Sequence, residues 1–284
     1  MCSCVATVRE YRQQRISDRR PRGMDAKTYH TDHWRTIEDE RIERYERMFV
    51  WREGHAELLA LLELAPGCRV MDYGCGPGFV SIGMAGMVAP GGQVHGVDIN
   101  ARFVADATGR AAGTDNASFH LLQDGHIPLA DGAVNRALCK NVLEYVPDLS
   151  ATLAEFHRVI EPGGRLLAID SDWGFVIVEP WGRAVTERFF AAAAPAFKEP
   201  EIGRSLRGHL LDAGFEDVQV TIRAGADTEG GSLLVLRNMA SYATQFDLLS
   251  SEEAGALLAQ AETAVEEGRF LFSLPQFLVT ATRP

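Results

Sequence analysis

The sequence predicts a doubly wound α/β fold: a mostly parallel, seven-stranded sheet with helices on both faces and a helical cap. Three observations predict it. Between residues 69 and 223 short apolar runs alternate with amphipathic segments of about 10–15 residues, the pattern of βαβ units and a parallel sheet. A glycine-rich turn follows the first run directly, and acidic residues end the next two. That places polar chemistry along the carboxyl ends of the strands, where open α/β sheets bind ligands.

Taken in order, residues 24–66 read as helix. Leu58, Leu59, Leu61 and Leu62, and before them Tyr45, Met48, Phe49 and Trp51, recur at helical spacing among charges, and Pro66-Gly67 stops the run. Arg69 to Tyr73 is the first strand. Phe79 to Met87 is a small-residue helix ended by Pro90-Gly91-Gly92. Val94 to Val97 is the second strand, Arg102 to Ala112 a helix, and Ser118 to Leu122 the third strand. Val134 to Cys139 follows the Asp131-Gly132 turn as the fourth. Leu149 to Ile160 is an amphipathic helix stopped by Glu161-Pro162-Gly163-Gly164, and Arg165 to Asp170 is the fifth strand. Ile202 to Ala213 is a helix ending at Gly214, Val218 to Ile222 the sixth strand, residues 233–268 two helices, and Gln276 to Thr282 the last strand. The domain reading is a basic leader at 1–23, an N-terminal helical cap at 24–66, an α/β core at 67–223 with a cap insertion at 171–200, a second helical insertion at 224–270, and the final strand of the sheet at 271–284.

Composition narrows the partners. Net charge is −11, which argues against nucleic acid, because phosphate binding needs a basic face. The charge is uneven: residues 1–23 hold six arginines against two acids. This leader reads as a disordered tail, since it lacks a sustained apolar period, and no apolar stretch follows its charges as in a secretory signal. No run of about 18 apolar residues is present, so no membrane span is expected. The five cysteines are odd in number and none forms a C-x-x-C pair. That suits a reducing, cytoplasmic compartment and argues against a disulfide framework or a zinc ribbon.

The strongest motif is Val70-Met71-Asp72-Tyr73-Gly74-Cys75-Gly76-Pro77-Gly78: strand, glycine turn, helix N-terminus. The glycines permit unusual dihedrals and close backbone approach to a ligand, and the helix start offers unpaired N–H groups. A dinucleotide fingerprint would need its third glycine at position 79, which is Phe79; here that glycine comes one residue early, at Gly78. The shift disfavours a pyrophosphate cradle and a nicotinamide oxidoreductase. Asp98 ends the second strand, where a carboxylate can accept both ribose hydroxyls of an adenosine. Asp124 ends the third, where a carboxylate can accept from an adenine amino group. Either acid alone could simply cap the following helix. The glycine turn and both acids on three successive strand ends make capping a poor account of the set.

As a set these segments resemble the class I S-adenosylmethionine (SAM)-dependent methyltransferases, most closely their small-molecule and quinone-type branch. Val70 to Gly78 matches the glycine motif, Val94-His95-Gly96-Val97-Asp98 the ribose-binding strand, and Asp124-Gly125-His126-Ile127-Pro128-Leu129 the adenine loop. Asn141-Val142-Leu143-Glu144-Tyr145-Val146-Pro147-Asp148 matches the segment after the fourth strand, and Glu161 to Arg165 the turn before the fifth. The resemblance covers roughly residues 50–225. It implies a Rossmann-like sheet and SAM as cofactor. It implies that Asp72, Gly74 and Gly76, with Cys75 between them, border the methionine part of SAM. It further implies that Asp98 binds ribose, that Ile99 and Gly125 sandwich adenine while Asp124 reads it, and that Asn141 lies beside the sulfonium. Tyr145 stands where this branch often carries His, and Lys140 where small or apolar residues are usual.

The implied reaction moves a methyl group to a small-molecule acceptor, at O, N or C, of a secondary-metabolite or quinone-like kind. A hydroxyl or carbon acceptor needs a base, whereas a free amine does not. Candidate catalytic groups are Asp170, with Asp172, after the fifth strand, His126 in the adenine loop, and Tyr145, with Glu144, after the fourth strand. Trp173, Phe175, Trp181, Phe189 and Phe190 could wall an apolar substrate pocket or pack the cap. Tyr29 to Trp34 has metal-like residue types but suits no closed zinc site, so no metal is expected; Tyr29 or Trp34 is better read as a lid residue. An apolar cap would suit a homodimer. The competing readings are a protein or RNA methyltransferase, and a SAM-binding protein without transferase activity. Base-amine enzymes typically carry an Asn/Asp-Pro-Pro-Tyr/Phe run after the fourth strand, where this chain has Lys140-Asn141-Val142-Leu143.

Overall fold

A computed structural model describes residues 28–37, 42, 50, 51 and 53–284. The basic leader and the apolar positions Tyr45, Met48 and Phe49 lie outside the described residues. The central sheet has seven strands: β1 (Arg69–Tyr73), β2 (Gln93–Asp98), β3 (Ala117–Leu121), β4 (Val134–Lys140), β5 (Ile160–Ser171), β7 (Glu216–Arg223) and β9 (Gln276–Thr282). Their order is β3-β2-β1-β4-β5-β9-β7. The first five are parallel, and β9 runs antiparallel to both β5 and β7. Strand order reverses between β1 and β4, which opens a crevice at the carboxyl ends of those strands.

Helices cover both faces, so the central strands are apolar on both sides. On one face α2 (Glu53–Leu59) and α3 (Phe79–Val88) border a core that contains Leu62, Val70, Met84, Val94, Leu138 and Ile169. On the other, α5 (Leu149–Val159) and α7 (Ile202–Asp212) pack over Met71, Val97, Ala137, Leu166 and Phe215. Asn100 caps α4 (Ala101–Arg110) by accepting from Arg102 and Phe103 N–H, and Asp148 caps α5 through Ala151 N–H. These caps stabilise helix starts that would otherwise leave N–H groups unpaired.

The single helix expected over 24–66 is broken. Helix α1 (Tyr29–Arg35) ends at Thr36, which adopts φ −134° and ψ 109°. Thr36 and Ile37 are both β-branched and lose side-chain freedom in a helix. Trp51 is not helical, and α2 passes into a 3-10 turn at Ala60–Leu62 that ends on left-handed Glu63, before Pro66. The turn expected at Glu161–Gly164 lies inside β5 as an irregularity: register with β4 shifts between Val134 and Arg136, with Gly163 at φ +79°. Gly163 supplies the left-handed backbone that lets the strand continue past the bulge.

The cap is built from α6 (Gly182–Ala193), α8 (Leu233–Gln245), α9 (Ser251–Glu266) and two short strands, β6 (Ile177–Glu179) and β8 (Leu271–Ser273), which pair antiparallel. The strand pair corrects the expected boundary, because 271–273 belongs to the cap and not to the final strand. The cap has its own apolar centre, including Trp181, Phe189, Phe190, Leu236, Met239, Leu258, Phe270 and Phe272, joined by Tyr29 of α1. No helix stands between β3 and β4. The loop there is held by Arg158 of α5, whose guanidinium donates to the carbonyls of Ile127 and Leu129 and to the carboxylates of Glu155 and Asp131. Among the described residues no helix is long and apolar enough to cross a membrane.

Phe156 of α5 is fully buried and meets Tyr73 edge-on at 4.8 Å. Truncating such a ring leaves a cavity between helix and sheet, so Phe156→Ala is expected to lower stability by about 3–5 kcal/mol in urea unfolding. A loss below about 1 kcal/mol would show that α5 does not carry this face of the core.

Candidate active site

A cavity of about 540 Å³ opens at the carboxyl ends of β1, β2 and β4 and is roofed by α1 and α8. That size lies within the range of about 300–1,000 Å³ typical of small-molecule sites. Its floor begins at the glycine turn. Gly74, Gly76 and Gly78 all have positive φ, which side-chain-bearing residues rarely adopt. A Cβ on Gly74 would lie 2.2 Å from Val142 Cγ2, so the turn presses directly against the segment after β4. The N–H groups of Gly74 and Cys75 donate to the Val97 carbonyl at 2.7 and 3.1 Å.

Asp98 binds this turn from the side. One carboxylate oxygen accepts from Gly76 N–H at 2.8 Å and the other from Asn100 N–H at 2.8 Å. Burial pushes its pKa up to about 6, and the backbone donors oppose that shift by holding the charge. Asp98 remains at the cavity wall beside Ile99, Phe103 and Leu122. Asp124 and Gly125, both with positive φ, border the same end from the loop after β3. Asn141, at φ +54°, lies across the floor and accepts from Gln276 Nε2 at 3.4 Å.

Seven of the nine predicted cofactor positions therefore meet at one cavity: Gly74, Gly76, Asp98, Ile99, Asp124, Gly125 and Asn141. Asp72 and Cys75 do not line it. Asp72 is buried behind the turn, where it accepts from the Ser81 hydroxyl at 2.5 Å, and burial raises its pKa to about 6. Cys75 is buried with its thiol turned toward the Gly76 carbonyl.

The predicted catalytic groups separate. Asp170 is fully buried and does not line the cavity. Its carboxylate accepts from the N–H groups of Leu143 and Ser171, and burial pushes its pKa up to about 7. It holds the turn after β4 in place and has no surface for a substrate. Asp172 is committed to a bidentate pair with Arg204 at 2.5 and 2.8 Å. His126 points to solvent, with a side chain 67% exposed and paired to Glu155 at 3.1 Å, outside the cavity. Tyr145 does line it, stacked on Phe197 with its backbone carbonyl accepting from the Thr31 hydroxyl. Of the five aromatic residues expected to wall the pocket, only Trp173 does; Trp181, Phe189 and Phe190 fill the cap interior and Phe175 is exposed. Trp34 lines the cavity as a lid residue would, whereas Tyr29 is buried and donates to Gln245.

Sequence reasoning did not place Asn238, Met239 and Tyr242 at the site. They come from one face of α8, where i, i+1 and i+4 spacing was the available signal. Glu144 also lines the cavity, 3% exposed, with the Trp173 indole N–H donating to it at 2.7 Å. Among the described residues no group of three or more His, Cys, Asp or Glu side chains is placed to hold a metal ion.

The arrangement can take an adenosine-like group at the Asp98–Asp124 end and a second, largely apolar molecule under the cap. The family described as a methyltransferase domain matches residues 64–202. Those residues are similar to that methyltransferase family. They hold the glycine turn, Asp98, Asp124 and Asn141 but not α8 or β9. Over 113 residues the chain is 35% identical to arsenite methyltransferase of Halobacterium salinarum, covering 39% of this chain and 29% of that one. It is 29% identical to demethylmenaquinone methyltransferase of Symbiobacterium thermophilum, covering 49% of this chain and 55% of that one. The chain thus spans about half or less of the length of these curated relatives. Phosphoethanolamine N-methyltransferase 2 of Haemonchus contortus, solved with S-adenosyl-L-methionine, superposes with a TM-score of 0.62 over 93% of this chain and 61% of that one. At 15% identity that likeness shows the fold alone, cap region included.

Asp72, Asp98 and Asp170 share one consequence. Each has its pKa raised by burial, to about 6, 6 and 7. Between the unfolded and folded values the folded protein binds more protons, so these groups make stability fall as pH rises from about 4 to about 7. Asp170→Asn removes the largest of the three shifts. Its melting temperature is expected to decline less between pH 5 and pH 8 than that of the parent protein. Equal declines would show that the Asp170 carboxyl does not titrate in this window.

Proposed function

We propose that the protein is a SAM-dependent methyltransferase acting on a small-molecule acceptor. The observation that carries this reading is the Asp98 carboxylate, fixed by Gly76 and Asn100 N–H at the cavity wall, with Asp124 at the next strand end. An ionised carboxylate has about four lone-pair sites, and two backbone donors leave room for two ribose hydroxyls. Ile99, Phe103 and Leu122 supply apolar surface for an adenine ring, and Asp124 an acceptor for its amino group. The residues fit SAM, with Asn141 and the positive-φ glycines toward its methionine part. When bound, SAM supplies an electrophilic methyl group.

The chain's own contribution is orientation and exclusion of water. Trp34 and Thr31 of α1, with Val235, Met239 and Tyr242 of α8, close the cavity from above. Val142, Val146 and Leu274 give it apolar walls. A largely apolar, partly open cavity of this size suits a small molecule. The names of the relatives, arsenite and demethylmenaquinone methyltransferase, support a small acceptor in the same way.

Asp98→Ala leaves two ribose hydroxyls and two backbone N–H groups without their acceptor. It is expected to weaken SAM and S-adenosylhomocysteine (SAH) binding by more than about tenfold in calorimetry. Unchanged affinity would remove Asp98 from the nucleoside site. Failure of the parent protein to bind either compound would overturn the methyltransferase reading itself.

A further inference from the structure

Glu144 is the one buried carboxyl at this cavity that the nucleoside end does not use. It stands on the 3-10 turn Leu143–Tyr145, directly after Asn141, on the side where the acceptor must approach. Its side chain touches three groups. The Trp173 indole donates to Oε2 at 2.7 Å, the Tyr145 hydroxyl forms a second hydrogen bond, and the Asp170 carboxyl lies close enough to repel its charge. The groups that act on the Glu144 carboxyl are Asp170, Trp173 and Tyr145, none of them a cation. The Asp170 carboxylate is likewise held by backbone N–H groups alone. Two acids sit together in a desolvated corner among dipoles, with Lys140 and Arg35 elsewhere on the cavity lining.

That is a costly arrangement unless something positive completes it, since buried charges are paired or neutralised. Around Glu144 the wall is aromatic: Trp34, Tyr145, Trp173 and Tyr242 all line the cavity. Aromatic rings attract cations, and do so more strongly when water is excluded.

Resting on the methyltransferase reading above, we propose that the methyl acceptor is an amine, held through its N–H by the Glu144 carboxylate within the Trp34, Tyr145, Trp173 and Tyr242 wall. An amine arrives at neutral pH as an ammonium ion, which cannot act as a nucleophile. Glu144 takes one N–H proton and becomes the neutral acid. The freed nitrogen lone pair forms the N–C bond to the methyl group, and the C–S bond breaks with its electron pair going to sulfur. The methylated nitrogen carries the positive charge that the sulfonium lost, and Glu144 releases its proton to solvent when the products leave. Burial and the neighbouring Asp170 both raise the proton affinity of Glu144, which favours the first step. The proposal selects amines from among the O, N and C acceptors that the sequence left open.

The test uses three probes that share one ring and differ in charge: benzylamine, benzyl alcohol and benzoate. Each is titrated into the full-length, SAH-loaded protein by calorimetry. Benzylamine is expected to bind at least about tenfold more tightly than either of the others, as a charge-assisted contact in a desolvated site should give. In Glu144→Gln, SAH affinity should stay within about threefold of the parent, and the benzylamine preference should fall to about threefold or less. Glu144→Asp, which keeps the carboxyl one methylene back, should restore part of the preference. The proposal is overturned if the parent protein shows no preference for benzylamine, if the preference survives in Glu144→Gln, or if none of the three probes binds. It is also overturned if Glu144→Gln loses SAH affinity in step, which would put the carboxyl on the amino-acid end of that ligand. If Glu144→Gln does not fold, the three-probe comparison on the parent protein decides alone. SAH failing to bind the parent protein sinks the methyltransferase reading instead, so the two failures are distinct.

Discussion

The hydrogen bond from Gly76 N–H to the Asp98 carboxylate joins two pieces of chain at their tips, beyond the Gly74 and Cys75 N–H bonds to the Val97 carbonyl. One is the turn that leaves β1, and the other is the end of β2. Their strands are paired from Arg69 to Tyr73, but the turn lies beyond the last rung. Without the carboxylate the turn would hold its shape only through the two N–H bonds to Val97 and the pressure of Val142. With it, the start of α3, the depth of the cavity and the position of the segment after β4 are set together. The cost is a charge taken out of water, visible in its raised proton affinity, and backbone dipoles offset that cost in place of a basic residue.

A second division follows from where the walls originate. The Asp98–Asp124 end is built mainly by the α/β core, where strands and parallel pairing fix positions to within a rung, with Trp34 of α1 packed by Phe103 and bonded through its carbonyl to the Asn100 side chain. The opposite end is assembled from α1, α8 and the approach to β9, which have their own apolar centre. Glu144 and Asn141 stand on the line where the two meet. The loop that carries Asp124 lacks a helix of its own and depends on Arg158, which satisfies two of its carbonyls while Glu155 accepts from Ile127 N–H. Arg158 holds Glu155 well below the usual carboxylate range, at about 2, so this clamp stays charged across the whole working range of pH.

The core was legible in the sequence because its signals are local and repeated. Gly-rich turns and changes of period bracket each strand, and Gln276–Thr282 falls where the alternation places it. What failed had weak or misleading local signals. Strands β6 and β8 are three residues long and show no alternation to read. The helix expected over 24–66 rested on apolar spacing that says nothing about the break at Thr36. Asp170 sits at the right strand end, yet its carboxyl is bound by the backbone of the neighbouring turn, a contact of |i−j| = 27 that no single-segment pattern reveals. Glu144 was named beside Tyr145 as a candidate acid, but its seclusion was not legible. It depends on the Trp173 indole, brought in from the turn just after β5.

One further feature concerns how the roof is attached. The chain leaves the core after Ser171 of β5 and after Arg223 of β7, and it returns at Gln276 of β9. In the sheet, Ser171 is paired with Gln276, and Gln276 with Arg223. Three of the four joints between cap and core therefore lie on a single rung across adjacent strands, and the fourth enters α7 at Ile202. A roof fastened largely along one such seam can shift about it, like a flap on its binding, without severing any bond of the sheet. The central residue of that seam, Gln276, reaches the Asn141 side chain on the cavity floor. Motion of the flap and the shape of the floor are thus connected through one amide pair.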